Sequence, residues 1–208
     1  VSTSPAPAPP RRTQAERSEA TRAALLDACT ASLIEHGWSG TSARGVAERA
    51  GVSQGAQQHH FPTKAALVAA ALERIARGLI EASREEPDLT LPPRERAARL
   101  LDLLWGIHHA PAWPAVTEIL ALARFAPIGR QPTDMLLSAT DLACAAAERA
   151  VPEYARGTGF RDAVLLSLAT MRGTALAELQ GAESALVPWP VLREQLLTAW
   201  EACGAPTR

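Results

Sequence analysis

Residues Thr41 to Lys64 read TSARGVAERAGVSQGAQQHHFPTK. The stretch divides into two short helices around a tight turn. Ser42 can cap the first helix through its hydroxyl. Val46, Ala47 and Ala50 recur at helical spacing and give it an apolar face. Gly51 ends it, where a residue without a Cβ takes a left-handed conformation at little cost. Ser53 can cap the second helix, and Pro62 closes it off. This order of elements is a helix-turn-helix pattern, which presents its second helix to the DNA major groove.

The polar residues of the stretch suit that role. The second helix offers Ser53, Gln54, Gln57, Gln58, His59 and His60. Ser, Gln and His hydrogen-bond base edges or phosphates without burying a full charge. Arg44 and Lys64 flank the unit and suit phosphate oxygens. The plainer alternative is a polar surface helix of an ordinary bundle. Such a helix more often carries Glu and Lys than a Gln, Gln, His, His run.

Gly45-Val46-Ala47, Ala50-Gly51-Val52-Ser53, Gly55, His60-Phe61-Pro62, Lys64 and Leu67 together resemble the TetR family of transcriptional regulators. The resemblance runs without a gap from about Ala23 to Leu67. It implies backbone or phosphate contacts at Thr41, Ser42, Arg44, Gln58, His60 and Lys64, and base contacts at Ser53, Gln54, Gly55 and His59. Two positions depart from the family's pattern. Gln57 stands where a Leu is usual, and Gln58 where a Tyr is usual. Gln57 either turns to DNA or finds a partner inside.

Outward from this unit, the whole chain reads as all-α. Its 208 residues allow one or two small domains, and a hydrophobic share of 47% is ample for a packed core. Aromatics make up 4%, while Ala and Leu abound, which favours helix over sheet. The net charge of −1 does not announce a nucleic-acid binder. The balance is uneven, with seven basic against five acidic residues up to Lys64, and fourteen against seventeen beyond it. The expected division is an N-terminal arm over residues 1–14, disordered and rich in Pro and Ala. A three-helix DNA-binding domain follows over 15–64, and a helical ligand-binding and dimerisation domain over 65–208.

Three scattered cysteines, Cys29, Cys144 and Cys203, fit a reducing compartment rather than a disulfide framework. No zinc-type spacing occurs, no apolar run reaches membrane-spanning length, and residues 1–13 lack the apolar core of a signal peptide. A cytoplasmic protein with no metal and no cofactor is expected. No GxSxG, Walker or paired-carboxylate motif is present, and Cys144 has no evident His or Asp partner, so an enzyme is not expected.

Helical segments are expected over about 15–36, with Leu25, Leu26, Cys29 and Leu33 inward, and from Lys64 to about Ser83. Further segments are expected over 94–109, 113–125, 133–151, 160–181 and 188–203. Trp38 should anchor the helix-turn-helix core. The segments 133–151 and 160–181 are apolar over more than one face, and a helix apolar all round must be covered on both sides. A second copy of the chain is the simplest cover. The resemblance implies the same, since the last two long helices of the family pair across a two-fold axis.

The segments 94–109 and 113–125 concentrate the unusual side chains. Trp105, His108, His109, Trp113, Glu118 and Phe125, with Met171 from a later helix, are expected to line a pocket for a small-molecule effector. A metal-responsive regulator using His108, His109 and Glu118 is a weaker reading, because adjacent helical histidines point about 100° apart. The expected function is a homodimeric, ligand-responsive regulator binding double-stranded operator DNA, most simply a repressor. A constitutive DNA binder with a vestigial pocket is the alternative.

Overall fold

A computed structural model describes residues 13–82, 86–122, 131–182, 184 and 186–204, with the side chains of 78–82 outside that description. Among the described residues the chain forms ten helices and no strand. They are α1 (Gln14–Gly40), α2 (Ala43–Ala50), α3 (Gln54–His60), α4 (Lys64–Ala82), α5 (Pro93–His108), α6 (Trp113–Leu122), α7 (Gln131–Ala150), α8 (Pro152–Ala155), α9 (Phe160–Leu179) and α10 (Trp189–Cys203). The one-turn α8 has no counterpart in the sequence reading. The expected N-terminal arm falls almost wholly outside the described residues.

Helix α1 starts at a reciprocal capping box. Thr13 Oγ1 accepts from the Glu16 N–H, and Glu16 Oε2 accepts from the Thr13 N–H. Its regular course ends at Gly37, whose φ of 63° is the left-handed backbone only glycine adopts cheaply. Beyond that kink a last turn carries Trp38 to Gly40 and delivers the chain to α2.

Two apolar cores follow. The first joins Leu25, Leu26, Cys29 and Leu33 of α1 to Val46 of α2, Phe61, and Leu67, Val68, Ala71 and Leu72 of α4. Ala115 and Ile119 of α6 complete it. Burying one such Leu or Ile contributes about 1.5–3 kcal/mol. The second core gathers Leu101 and Leu104 of α5, Cys144 and Ala147 of α7, Val164, Leu168 and Met171 of α9, and Leu197 and Trp200 of α10. Trp200 is fully buried, and its Nε1–H donates to Ser167 Oγ at 3.0 Å, so the indole sheds water without losing its partner. Arg96 is also buried. It donates to the carbonyls of Leu91 and Ala150 and pairs with Glu153, which pins the start of α5 to the α7–α8 turn.

Candidate nucleic-acid interface and effector cavity

The helix-turn-helix is built by its caps. Ser42 Oγ accepts from the Gly45 N–H at 3.1 Å, and Ser53 Oγ from the Ala56 N–H at 3.2 Å. Gly51 takes φ 66° and its N–H closes α2 on Ala47 and Glu48. Arg49 forks onto Glu35 of α1 through two 2.6 Å hydrogen bonds, which fixes the orientation of α2.

On this support α3 exposes Ser53, Gln54, Gly55, Gln58 and His59, and half-exposes His60. A Cβ built on Gly55 meets nothing, so another molecule's backbone can approach there closely. Ser42 and Arg44 are exposed at the start of α2. Arg44 Nε pairs with Glu48 at 2.8 Å across one helical turn. An exposed pair of this kind is weak, so a phosphate can take Glu48's place.

Gln57 resolves inward. It is 2% exposed, and its Nε2 donates to the Phe61 carbonyl at 2.8 Å. The amide satisfies the end of its own helix where the family's pattern has a Leu.

Two expected phosphate contacts are engaged inside the protein instead. Thr41 is 2% exposed; its hydroxyl donates to the Gly37 carbonyl and accepts from Ser32 Oγ. Its side chain has no reach to a phosphate in this conformation. Lys64 Nζ donates to the Trp38 carbonyl at 2.5 Å and lies 4.3 Å from the centre of the Trp38 ring. Burial lowers the pKa of this ammonium, and the charge of Glu118 works against that shift.

Glu118 is the largest departure from the sequence reading. Its Oε2 accepts the Trp38 N–H at 2.8 Å, at the kink that ends α1. A Cβ on Gly37 would come within 2.5 Å of the same oxygen. The carboxylate therefore ties α6 to the helix-turn-helix unit and does not face an effector cavity.

The other expected cavity residues separate into three groups. Trp113 and His108 meet edge to face at 4.4 Å and line an apolar cavity. Trp105 instead stacks between His109, at 3.7 Å, and Trp189 of α10, at 4.3 Å. His109 Nε2 lies 3.2 Å from Glu178, and His109 lines a separate pocket with His108, Trp113 and Glu178. Met171 is wholly buried in the second core. Phe125 lies outside the described residues. His108, His109 and Glu118 do not converge, and among the described residues no three metal-capable side chains do.

The cavity has two lobes of about 80 Å³ each. Ala76, Ile107, Trp113, Leu136 and Ala139 line both. The first lobe is closed by Leu72, Ile75, Val116, Leu120 and Met135, and the second by Leu104, His108, Leu168 and Arg172. Burial pushes the His108 pKa down to about 4 against the opposing hydrogen bond from Nδ1 to the Leu104 carbonyl. The ring is thus neutral at pH 7. The contributions of α4 and α7 were invisible to a search for aromatic and polar residues. Arg172 did leave a signal, as the one charge within AVLLSLATMRGTALA.

Cys29 is wholly buried and its thiol is pushed up to about 12, and Cys144 is buried too, so neither behaves as a nucleophile.

Residues 25–71 match the family model of bacterial regulatory proteins, tetR family. HTH-type transcriptional regulator CymR of Pseudomonas putida is 40% identical over 94 residues, 45% of this chain and 46% of that protein. This chain thus aligns with about half the length of CymR. An HTH-type transcriptional regulator of Mycobacterium bovis is 28% identical over 196 residues, covering 93% of this chain and 98% of its own. Among solved structures, a transcriptional regulator of Rhodococcus shares the fold with a TM-score of 0.68 at 24% identity, over 88% of this chain and 95% of that one. FadR of Bacillus subtilis, in complex with stearoyl-CoA, does so with a TM-score of 0.66 at 14% identity, over 88% of this chain and 98% of its own. The motif, the capped and exposed second helix and these matches agree: residues 25–71 are a DNA-binding helix-turn-helix unit of the kind found in the TetR family of transcriptional regulators, and the described chain shares the all-helical fold of solved regulators.

Proposed function

We propose that this regulator is a homodimer that binds a near-palindromic operator in double-stranded DNA and is released from it by a small molecule, acting as a repressor in the cytoplasm. One observation supports this above the others. Helix α4 is shared between the two functions. Leu67 and Val68 sit in the core shared with α1, Val46 of α2 and Phe61 just after α3, and Leu72, Ile75 and Ala76 wall the cavity one to two turns further on. A ligand that spreads the cavity must displace α4, and α4 cannot shift without carrying the helix-turn-helix with it. Release then follows as a population shift toward a dimer whose two recognition helices no longer match the operator spacing.

Base contacts are assigned to Ser53, Gln54, Gly55 and His59, and phosphate contacts to Ser42, Arg44, Gln58 and His60. The homodimer is supported by a stripe on α9. Leu165, Leu166, Leu176 and Leu179 are exposed along it, with Val191 of α10 also uncovered. Helix α7 exposes Leu137 as its only large apolar side chain. The contact therefore belongs to α9 and α10 rather than to α7 and α9.

A constitutive regulator with a vestigial cavity is the second reading, and the small volume of the lobes is what favours it.

Selection of bound DNA from a random pool by the full chain tests the assignment. The recovered site should be a near-palindrome. Gln54→Ala should cost about 1–3 kcal/mol at one or two base positions per half-site. Arg44→Ala should weaken all sequences alike and flatten the salt dependence. Binding that ignores both substitutions would refute the placement of α2 and α3.

A further inference from the structure

Arg172 stands in the wall of the second lobe, on α9. Its Nη2 donates to Thr140 Oγ1 at 2.8 Å, which is a neutral partner. Its Nε is buried and has no hydrogen-bond partner. Among the described residues no carboxylate forms an ion pair with it. The buried Arg96, by contrast, joins its charge to Glu153. Arg172 is half-buried, so its charge is only partly solvated and has one neutral partner, which leaves it open to a counter-ion.

A second unsatisfied group lines the same space. Trp113 Nε1 is buried without an acceptor. An indole N–H can only donate, as can a guanidinium N–H. His108 stays neutral and spends its Nδ1 on the Leu104 carbonyl, so it adds no competing positive charge. The wall of the lobe therefore carries two side chains with an unused donor, one of them cationic, among Leu, Ile, Ala and the neutral His108. It lacks a group that accepts hydrogen bonds and bears negative charge. The adjoining lobe is lined by apolar side chains alone, apart from backbone.

We propose that the effector is a small monocarboxylate with a compact apolar body. Its carboxylate pairs with Arg172 and accepts from Trp113, and its body fills the lobe between Leu72, Ile75, Val116 and Met135. This rests on the effector reading given above and specifies its chemistry. Size limits the class. Two lobes of about 80 Å³ each, taken together, match the roughly 150 Å³ of a cavity that holds one benzene ring. Monocyclic aromatic acids and short branched aliphatic acids fit, and long fatty acids do not. The guanidinium fork also suits a carboxylate better than a hydroxyl or an amide, since two parallel N–H bonds meet its two oxygens.

The test uses the full-length chain and a matched panel of benzoate, alkyl-substituted benzoates, phenylacetate and branched short-chain carboxylates, each beside its neutral amide. Binding is read by calorimetry and by thermal shift. At least one acid should bind, and its amide should bind roughly ten- to a hundredfold more weakly, the range expected for a lost hydrogen bond to a charged group. Arg172→Met should abolish that preference. The same variant should not lower the melting temperature of the ligand-free protein, because it removes a half-buried charge that has no carboxylate partner. A merely structural arginine would lower it. Arg172→Lys should retain part of the preference for the acid, as a point charge without the fork.

Equal binding of acids and amides, or acid binding that survives Arg172→Met, overturns the carboxylate proposal and leaves a neutral effector standing. Binding of neither acids nor amides at millimolar concentration overturns both this proposal and an effector of this size.

Discussion

Replacing Glu118 should loosen the joint between the cavity-bearing half of the molecule and its DNA-reading half. Glu118 Oε2 accepts the Trp38 N–H at 2.8 Å, and Lys64 reaches the same Trp38 from the other side at its carbonyl. Glu118→Ala leaves a partly buried N–H without an acceptor and strips Lys64 of the one carboxylate that favours its charge. A hydrogen bond to a charged group is worth about 1.5–3 kcal/mol, and its loss should dominate. The weaker attraction to Lys64 adds a few tenths, giving about 2–3 kcal/mol in all. Glu118→Gln keeps an oxygen to accept the N–H and gives up only the charge, so about 1 kcal/mol is expected. For a chain of 208 residues, each kcal/mol moves the melting temperature by about 2–4 °C. The alanine variant should thus melt roughly 4–12 °C below the native protein, and the glutamine variant a third to a half as far below. Urea titration followed by circular dichroism and thermal melts would measure both. Operator affinity should persist in Glu118→Ala, while the ligand's power to release DNA falls, because the two halves are no longer held together at this point. Variants within 0.5 kcal/mol of native, or an equal loss for Gln and Ala, would refute the argument that the carboxylate serves as an acceptor at the α1 kink.

The exposed α9 stripe should behave differently from the buried face of the same helix. Leu166 is 60% exposed and Leu168 is 2% exposed, so Leu166→Asp should yield a folded monomer in sedimentation, whereas Leu168→Asp should unfold. A dimeric Leu166→Asp protein would move the subunit contact elsewhere. His108 gives a pH dependence of definite sign. Its pKa in the folded chain is about 4, below the usual value of 6.5, so the unfolded chain takes up a proton first as pH falls. The neutral ring's contribution is complete above about pH 6.5 and is lost between there and about pH 4, amounting to roughly 3 kcal/mol. The drop in urea midpoint between pH 7 and pH 4.5 should shrink in His108→Gln, and an unchanged drop would assign acid sensitivity to other groups.

The helix-turn-helix was legible because its signals are local. A cap, a glycine or a proline acts on backbone groups within four residues, and Ser42, Gly51, Ser53 and Pro62 did so. The fate of Gln57 was not legible, since both a DNA-facing and an inward amide satisfy its chemistry, and only packing selects the carbonyl of Phe61. The cavity was half legible. Trp113 and His108 were found because rare side chains in an aromatic-poor chain stand out. Trp105 and His109 stack on each other away from the two apolar lobes, and His109 meets His108 and Trp113 only along a separate pocket. Trp105 and His109 lie four residues apart and share one helix face, whereas His108 is turned about 100° from His109. Glu118 was misread because its partner, Trp38, lies 80 positions away. The cavity walls from α4 and α7 are ordinary Leu, Ile and Ala, which no residue-by-residue reading separates from core.

The first apolar core has a consequence for exchange of parts between related regulators. Leu25, Leu33, Val46 and Phe61 are completed not by their own stretch of chain but by Leu67 to Leu72 and, across a long gap in sequence, by Ala115 and Ile119. A cut after Lys64 passes through that core. The excised head should be a poor folder, with a greasy flank open to aggregation. A hybrid that mounts it on another relative's body must also import the matching side of α6. Such hybrids should succeed or fail according to the residues at 115 and 119, whatever linker is chosen, so the DNA-reading head of this molecule is portable only together with a patch of α6.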